Sequence, residues 1–185
     1  MSLGDESDRV TAQLRALAHP VRLRILSLLT GSPMTAAEIA RELKLTHANV
    51  SYHLRQLHAA GTIEAAGEEH IRGGVAKRYR YDVERDLKPS PSTGTPTPGH
   101  MGQRRAVYAA LATELRRRAK HLRHSPGRSH MTDAELWVDP ETWSGIRARV
   151  EAASDALHRA ARPPRTPGTI RVNASIALFE MEPDS

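Results

Sequence analysis

Between Thr35 and Leu57 the apolar residues Ile39, Ala40, Leu43, Leu45, Val50, Leu54 and Leu57 hold a spacing that packs two short helices across a tight turn. Thr35-Ala-Ala-Glu38 opens the first helix as a capping box, in which the Thr hydroxyl and the Glu carboxylate each satisfy a backbone donor. Lys44-Leu45 forms the turn, Thr46 caps the second helix and Gly61 stops it. Ala40 is small where the two helices approach most closely.

Two further helices precede this pair. Ser7 caps the first, along which Val10, Leu14 and Leu17 form one stripe. His19-Pro20 interrupts it, because proline disfavours helix at the residue before it and starts a new helix well. Val21, Ile25, Leu28 and Leu29 line the second helix, which Gly31 and Pro33 end. After Gly61, Thr62 to Ala66 and Ala76 to Val83 read as two strands joined by the charged, glycine-rich loop 67–74. Residues 7–83 are therefore expected to fold as a winged helix-turn-helix, mainly α with a small β-hairpin.

Such a unit leaves the second helix of the pair with a free polar face. Thr46, His47, Asn49, Ser51, Tyr52 and Arg55 lie there, and Arg55 can neutralise a phosphate or read guanine bidentately. The hairpin adds Arg72, Lys77, Arg78 and Arg80; strand alternation puts Lys77 and Tyr79 on one face, Arg78 and Arg80 on the other. Thr46, His47, Asn49, Ser51, Tyr52, Arg55, Arg72, Lys77 and Arg78 are the candidate contacts to double-stranded DNA, with Arg72 placed nearest a groove or phosphate. His53 lies beside the apolar stripe and reads as half-buried or touching phosphate.

Leu17-Ala-His-Pro-Val-Arg-Leu-Arg-Ile-Leu26 resembles the second-helix signature of the ArsR-type winged-helix regulators. Thr35 to Leu43, followed by Val50-Ser-Tyr-His-Leu-Arg-Gln-Leu57 and Gly61, resembles the same family's helix-turn-helix, and Gly73 to Tyr81 its wing. The resemblance covers residues 8–82. It implies a homodimeric repressor or activator that binds an inverted repeat and is released or engaged by an effector, with a small molecule as a further partner. Metal-sensing members carry cysteine on the helix before the reading helix; Ile39 to Leu43 offers no thiol, and His121 with His124 supplies too few ligands, so no metal and no cofactor are expected.

The remainder reads differently. Glu84 to Gln103 is rich in Pro, Ser, Thr and Gly and is expected to be a linker. Residues 104–182 read as an α+β dimerisation or effector segment. A helix over 104–123 carries Val107, Leu111, Leu115 and Leu122. A short strand spans 134–138. A helix opened by Asp139-Pro140 carries Trp143, Ile146, Val150, Ala153 and Leu157, and a strand with strict apolar alternation runs from Ile170 to Leu178. Trp137 and Trp143 are expected in a core or an interface.

Of the net +6 charge, +7 falls on residues 83–130 and −3 on residues 131–185. The chain of 185 residues has no cysteine, hence no disulfide and no thiol nucleophile. No apolar run reaches the ~18 residues of a membrane helix, and the polar, acidic N-terminus is not a signal peptide; a cytoplasmic protein with no membrane partner is expected. No phosphate loop, nucleophile elbow or zinc-protease motif occurs, so no enzyme is expected. Two other readings remain open at this point: a winged-helix module for protein or RNA, and a metal or small-molecule sensor acting through the C-terminal segment.

Overall fold

The computed structural model describes residues 3–71, 74–81, 98–123 and 129–182. In chain order the elements are α1 (Leu3–Leu17), α2 (Pro20–Leu29), β1 (Met34–Thr35), α3 (Ala36–Leu43), α4 (His47–Ala59), β2 (Ile63–Ile71), β3 (Gly74–Tyr81), α5 (Pro98–Ala119) and α6 (Pro140–Arg159). The described residues thus hold six helices and one three-stranded antiparallel sheet in the order β1-β3-β2. β1 had not been expected: Met34 pairs with Tyr79 and Thr35 with Arg78. β2 and β3 are paired from Ile63↔Tyr81 to Ile71↔Gly74, with a bulge between Ala65 and Gly67. The hairpin strands therefore run through most of the stretch expected to be loop.

One core organises the first part of the chain. Ile25, Leu26 and Leu29 of α2, Ile39 and Ala40 of α3, and Val50, Leu54 and Leu57 of α4 are buried together with Met34 and Ile63. Two arginines of α2 close the ends of other helices. Arg22 donates to the carbonyls of Ala16 and Arg15 at the end of α1, and Arg24 donates to the Leu43 carbonyl at the end of α3, at 3.0 Å. Helix-terminal carbonyls have no partner within their own helix, so each guanidinium removes that deficit while fixing one helix against another.

α1 starts at Leu3, ahead of the expected Ser7 cap. α5 starts at Pro98, inside the stretch expected to be linker; proline fits a first helical turn, where its missing N–H has no partner to lose. α5 packs on α1 and α2. Its buried face holds Ala110 and Glu114, whereas Leu115 and Leu122 of the expected stripe are exposed. The 2% exposed Glu114 carboxylate is held by Arg117 and Arg118 of its own helix.

The largest departure lies in the C-terminal segment. α6 forms as expected, with Asp139 as its N-cap and Pro140 in its first turn. Residues 134–138 and 170–178 form no strand; they are coil without ladder partners. Alternation of apolar residues specifies which face is buried, but a strand needs a neighbour to bond with, and the described chain supplies none. The α+β expectation for 104–182 is corrected accordingly: its described residues hold helices and no sheet.

The joint between α2 and α4 contains two histidines. His19 caps α2, and its Nδ1 accepts the Val21 N–H at 3.1 Å. The His53 ring of α4 lies 4.6 Å from it, centroid to centroid, and is 6% exposed. Burial, then the Arg22 charge, holds the His19 imidazole below the ordinary histidine range; burial, His19 and Arg22 do the same for His53. Protonated His19 could no longer accept from Val21, and charged His53 would face both His19 and Arg22. The unfolded chain therefore binds more protons than the folded one below about pH 6.5, so stability is complete above that value and is lost as pH falls. The melting temperature should fall between about pH 7.5 and 5.5, and His53→Leu should flatten the fall. An unchanged wild-type melting temperature across that window would contradict this account of the joint.

Candidate nucleic-acid interface

α3 and α4 are set by their caps. Thr35 Oγ1 accepts the Glu38 N–H at 3.3 Å, and Glu38 Oε2 accepts the Thr35 N–H at 2.8 Å. Lys44 ends α3 in the left-handed region, with φ 54° and ψ 48°, which turns the chain within three residues. The Leu45 N–H returns to the Ala40 carbonyl at 3.0 Å, and Thr46 Oγ1 accepts the Asn49 N–H at 3.2 Å to start α4. Leu43 and Leu45 pack on the core from either side of this turn.

Pinning Val50, His53, Leu54 and Leu57 to the core turns the other side of α4 outward. His47, Asn49, Tyr52 and Arg55 are exposed there, Tyr52 at 51%; Ser51 is half-buried, and Thr46 is exposed at the cap. Tyr52 and Arg55 stand one turn apart. Arg55 has no hydrogen-bond or ion-pair partner among the described residues. Gln56 and His58, which the sequence reading passed over, are exposed near the end of the helix. Helical spacing alone could have pointed to Gln56, which lies four residues, one turn, after Tyr52.

The hairpin cations divide by partner rather than by exposure alone. Lys77 is exposed and without an ionic partner among the described residues. Arg78 is engaged three ways: by Glu38 at 3.3 Å, by Glu69 across the ladder, and by the Pro33 carbonyl at 2.8 Å. Arg80 pairs with Glu64 opposite it. Arg72 lies outside the described residues. Burial pushes the Glu38 carboxyl upward, but the Thr35 N–H and hydroxyl, with Arg78 and Arg41, outweigh it and hold the group below the usual carboxylate range. Tyr79 and Tyr81 turn the other face of β3 to the core, and the His58 ring of α4 meets Tyr79 edge-on at 6.1 Å. Hairpin and α4 are thereby held at a fixed mutual position.

His121 is exposed, and His124 lies outside the described residues. Among the described residues no group of three His, Asp or Glu side chains is placed to hold a metal ion, and no helix is long and apolar enough to cross a membrane.

The arrangement just described has counterparts. Residues 17–64 match the family described as a helix-turn-helix domain. An HTH-type transcriptional regulator of Methanocaldococcus jannaschii is 32% identical over 76 residues, which cover 39% of this chain and 80% of that protein. The HTH-type transcriptional regulator YgaV of Escherichia coli is 32% identical over 81 residues, 43% of this chain and 75% of its own length. More than half of this chain lies outside either match. With capped helices joined by a left-handed turn, a buried helix face common to both, and these relatives matched over most of their length, the chain belongs to the helix-turn-helix transcriptional regulators.

Proposed function

We propose that the chain is a dimeric, ArsR-type winged helix-turn-helix repressor that binds an inverted repeat in double-stranded DNA. The observation that carries this is the outward face of α4. His47, Asn49, Tyr52 and Arg55 project from a helix whose opposite face is fixed in the core. An α-helix fits the major groove, and these side chains offer the donors and acceptors that base edges and phosphates require. The hairpin serves as the wing, with Lys77 on a phosphate and Arg72 toward a groove. Arg78, bound to two carboxylates and a carbonyl, positions the wing rather than touching DNA. Two copies place two reading helices about one DNA turn apart, so that weak half-sites add to a firm whole. Repression follows from occupying promoter DNA.

Selection of bound sequences from a random duplex library supplies the operator. On that operator Arg55→Ala should weaken binding by ~1–3 kcal/mol with the fold intact, and should relax the preference at one position of each half-site. Wild-type affinity in this variant would remove Arg55 from the interface.

Lys77→Ala should lose affinity on all sequences alike and reduce the slope of log K against log salt by ~0.9 per contact. Arg78→Ala should behave differently, leaving that slope unchanged while lowering the melting temperature, since its half-exposed pairs with Glu38 and Glu69 each contribute up to ~1 kcal/mol. A reduced slope for Arg78→Ala and none for Lys77→Ala would reverse the two assignments.

A further inference from the structure

Residues 131–185 carry a net charge of −3, yet within them the stretch 161–173 holds Arg162, Arg165 and Arg171 and no acidic residue. This stretch leaves α6 and returns to the reading head. The Arg162 carbonyl passes Gly31, at the end of α2, so closely that a Cβ there would collide with it. Arg165 then pairs with Glu42 of α3, a residue 123 positions earlier in the chain. Farther on, Asn173 Oδ1 accepts from Arg118 of α5 at 3.1 Å, and Glu180 accepts from the Trp143 indole of α6 at 3.0 Å. The stretch is a strap, tied to α2 and α3 at one end and to α5 and α6 at the other.

The strap is stiff where it meets α3. Pro163, Pro164 and Pro167 each fix φ. The Pro163 carbonyl accepts both the N–H and the hydroxyl of Thr166, at 3.2 and 2.8 Å. The Thr166 carbonyl does the same for Thr169, at 3.2 and 2.6 Å. Arg165 stands inside the first of these turns with φ 65°, in the left-handed region where glycine or asparagine is the usual residue. Local preference does not put an arginine there, and residues held in such conformations gather at functional sites.

We infer that Arg165 contacts a backbone phosphate of the bound DNA, carried by the strap to the flank of α3. The inference rests on the proposed function for its ligand. In helix-turn-helix docking the first helix of the pair crosses the sugar–phosphate backbone while the second enters the major groove. Glu42 lies on that first helix, four residues before Thr46, the cap of α4. A guanidinium seated on Glu42 therefore stands beside the backbone that borders the groove.

Arg165 also has donors to spare. Its side chain is 77% exposed, and only one of its three guanidinium nitrogens has a partner among the described residues. Arg78 is the contrast: half-buried, with both terminal nitrogens committed. Glu42 keeps the long Arg165 side chain in place, so less of its freedom is lost on binding. The same carboxylate repels a phosphate. A DNA contact and a mere latch on the strap therefore respond in opposite senses when the Glu42 charge is removed.

Salt titrations of the full chain on the selected operator test the inference. Arg165→Asn suits the left-handed backbone and removes the charge; it should weaken binding on all sequences alike and reduce the slope of log K against log salt by ~0.9. Arg165→Lys should keep the wild-type slope, since a phosphate contact needs the charge more than the planar fork. Gly31→Ala keeps every cation but forces the strap off its seat, and should lose the same ~0.9 with an unchanged circular dichroism spectrum. Glu42→Gln should bind at least as tightly as the wild type. A wild-type slope in Arg165→Asn or in Gly31→Ala would overturn the inference. So would a Glu42→Gln variant weakened as much as Arg165→Asn, the ion pair then serving only to latch the strap. These results would leave the proposed function standing, whereas a wild type that selects no DNA sequence would overturn both.

Discussion

The Glu38 carboxylate is the junction on which the reading head depends. It accepts the backbone N–H and the hydroxyl of Thr35, which starts α3, and it pairs with Arg78, which lies opposite Thr35 in the β1–β3 ladder. One side chain therefore joins the entry to the helix-turn-helix, the short edge strand and the hairpin. A carboxylate at a helix N-terminus is favoured by the unbonded amides and the helix dipole. Here the same charge also orients the arginine of the neighbouring strand. Arg78 in turn reaches Glu69 farther along the hairpin and the Pro33 carbonyl before β1.

Arg22 and Arg24 perform the matching task at helix C-termini. Within Val21-Arg-Leu-Arg-Ile25 the two cations alternate with apolar residues, so each leaves α2 on a different side and caps a different helix. The helices of the first part are joined through their ends by charge-assisted hydrogen bonds, and through their sides by a core of aliphatic residues. That division suits a chain with 4% aromatic residues, whose buried core is built from aliphatic side chains. The outcome is a scaffold in which, among the described residues, Arg55 and Lys77 have no partner, while Arg78, Arg80, Arg22 and Arg24 are committed to partners within the protein.

Much of the first part was legible because its signals are local. The capping box at Thr35 and Glu38, the turn at Lys44-Leu45, the Thr46 cap and the inner face of α4 each need only a few neighbouring residues to be recognised. β1 was not legible, since two residues carry no period. The start of α5 was obscured by prolines and glycines that also suit a linker, and the buried Glu114 by its polarity; its arginine partners one turn later were the available clue. Separating Lys77 from Arg78 required the ladder register, which sets Glu69 and Glu38 beside one of them. The strands expected at 134–138 and 170–178 show what periodicity leaves out: the alternation of Ile170, Val172, Ile176 and Leu178 suits a strand, but nothing in their spacing names a neighbour to bond with.

The central claim is that α4 reads DNA from the major groove. Methylation interference on the selected operator addresses it directly, because guanine N7 lies in that groove and adenine N3 in the minor one. The account predicts that methyl groups at guanine N7 abolish binding at one or more positions in each half-site. Binding that tolerates N7 methylation at every guanine would contradict it.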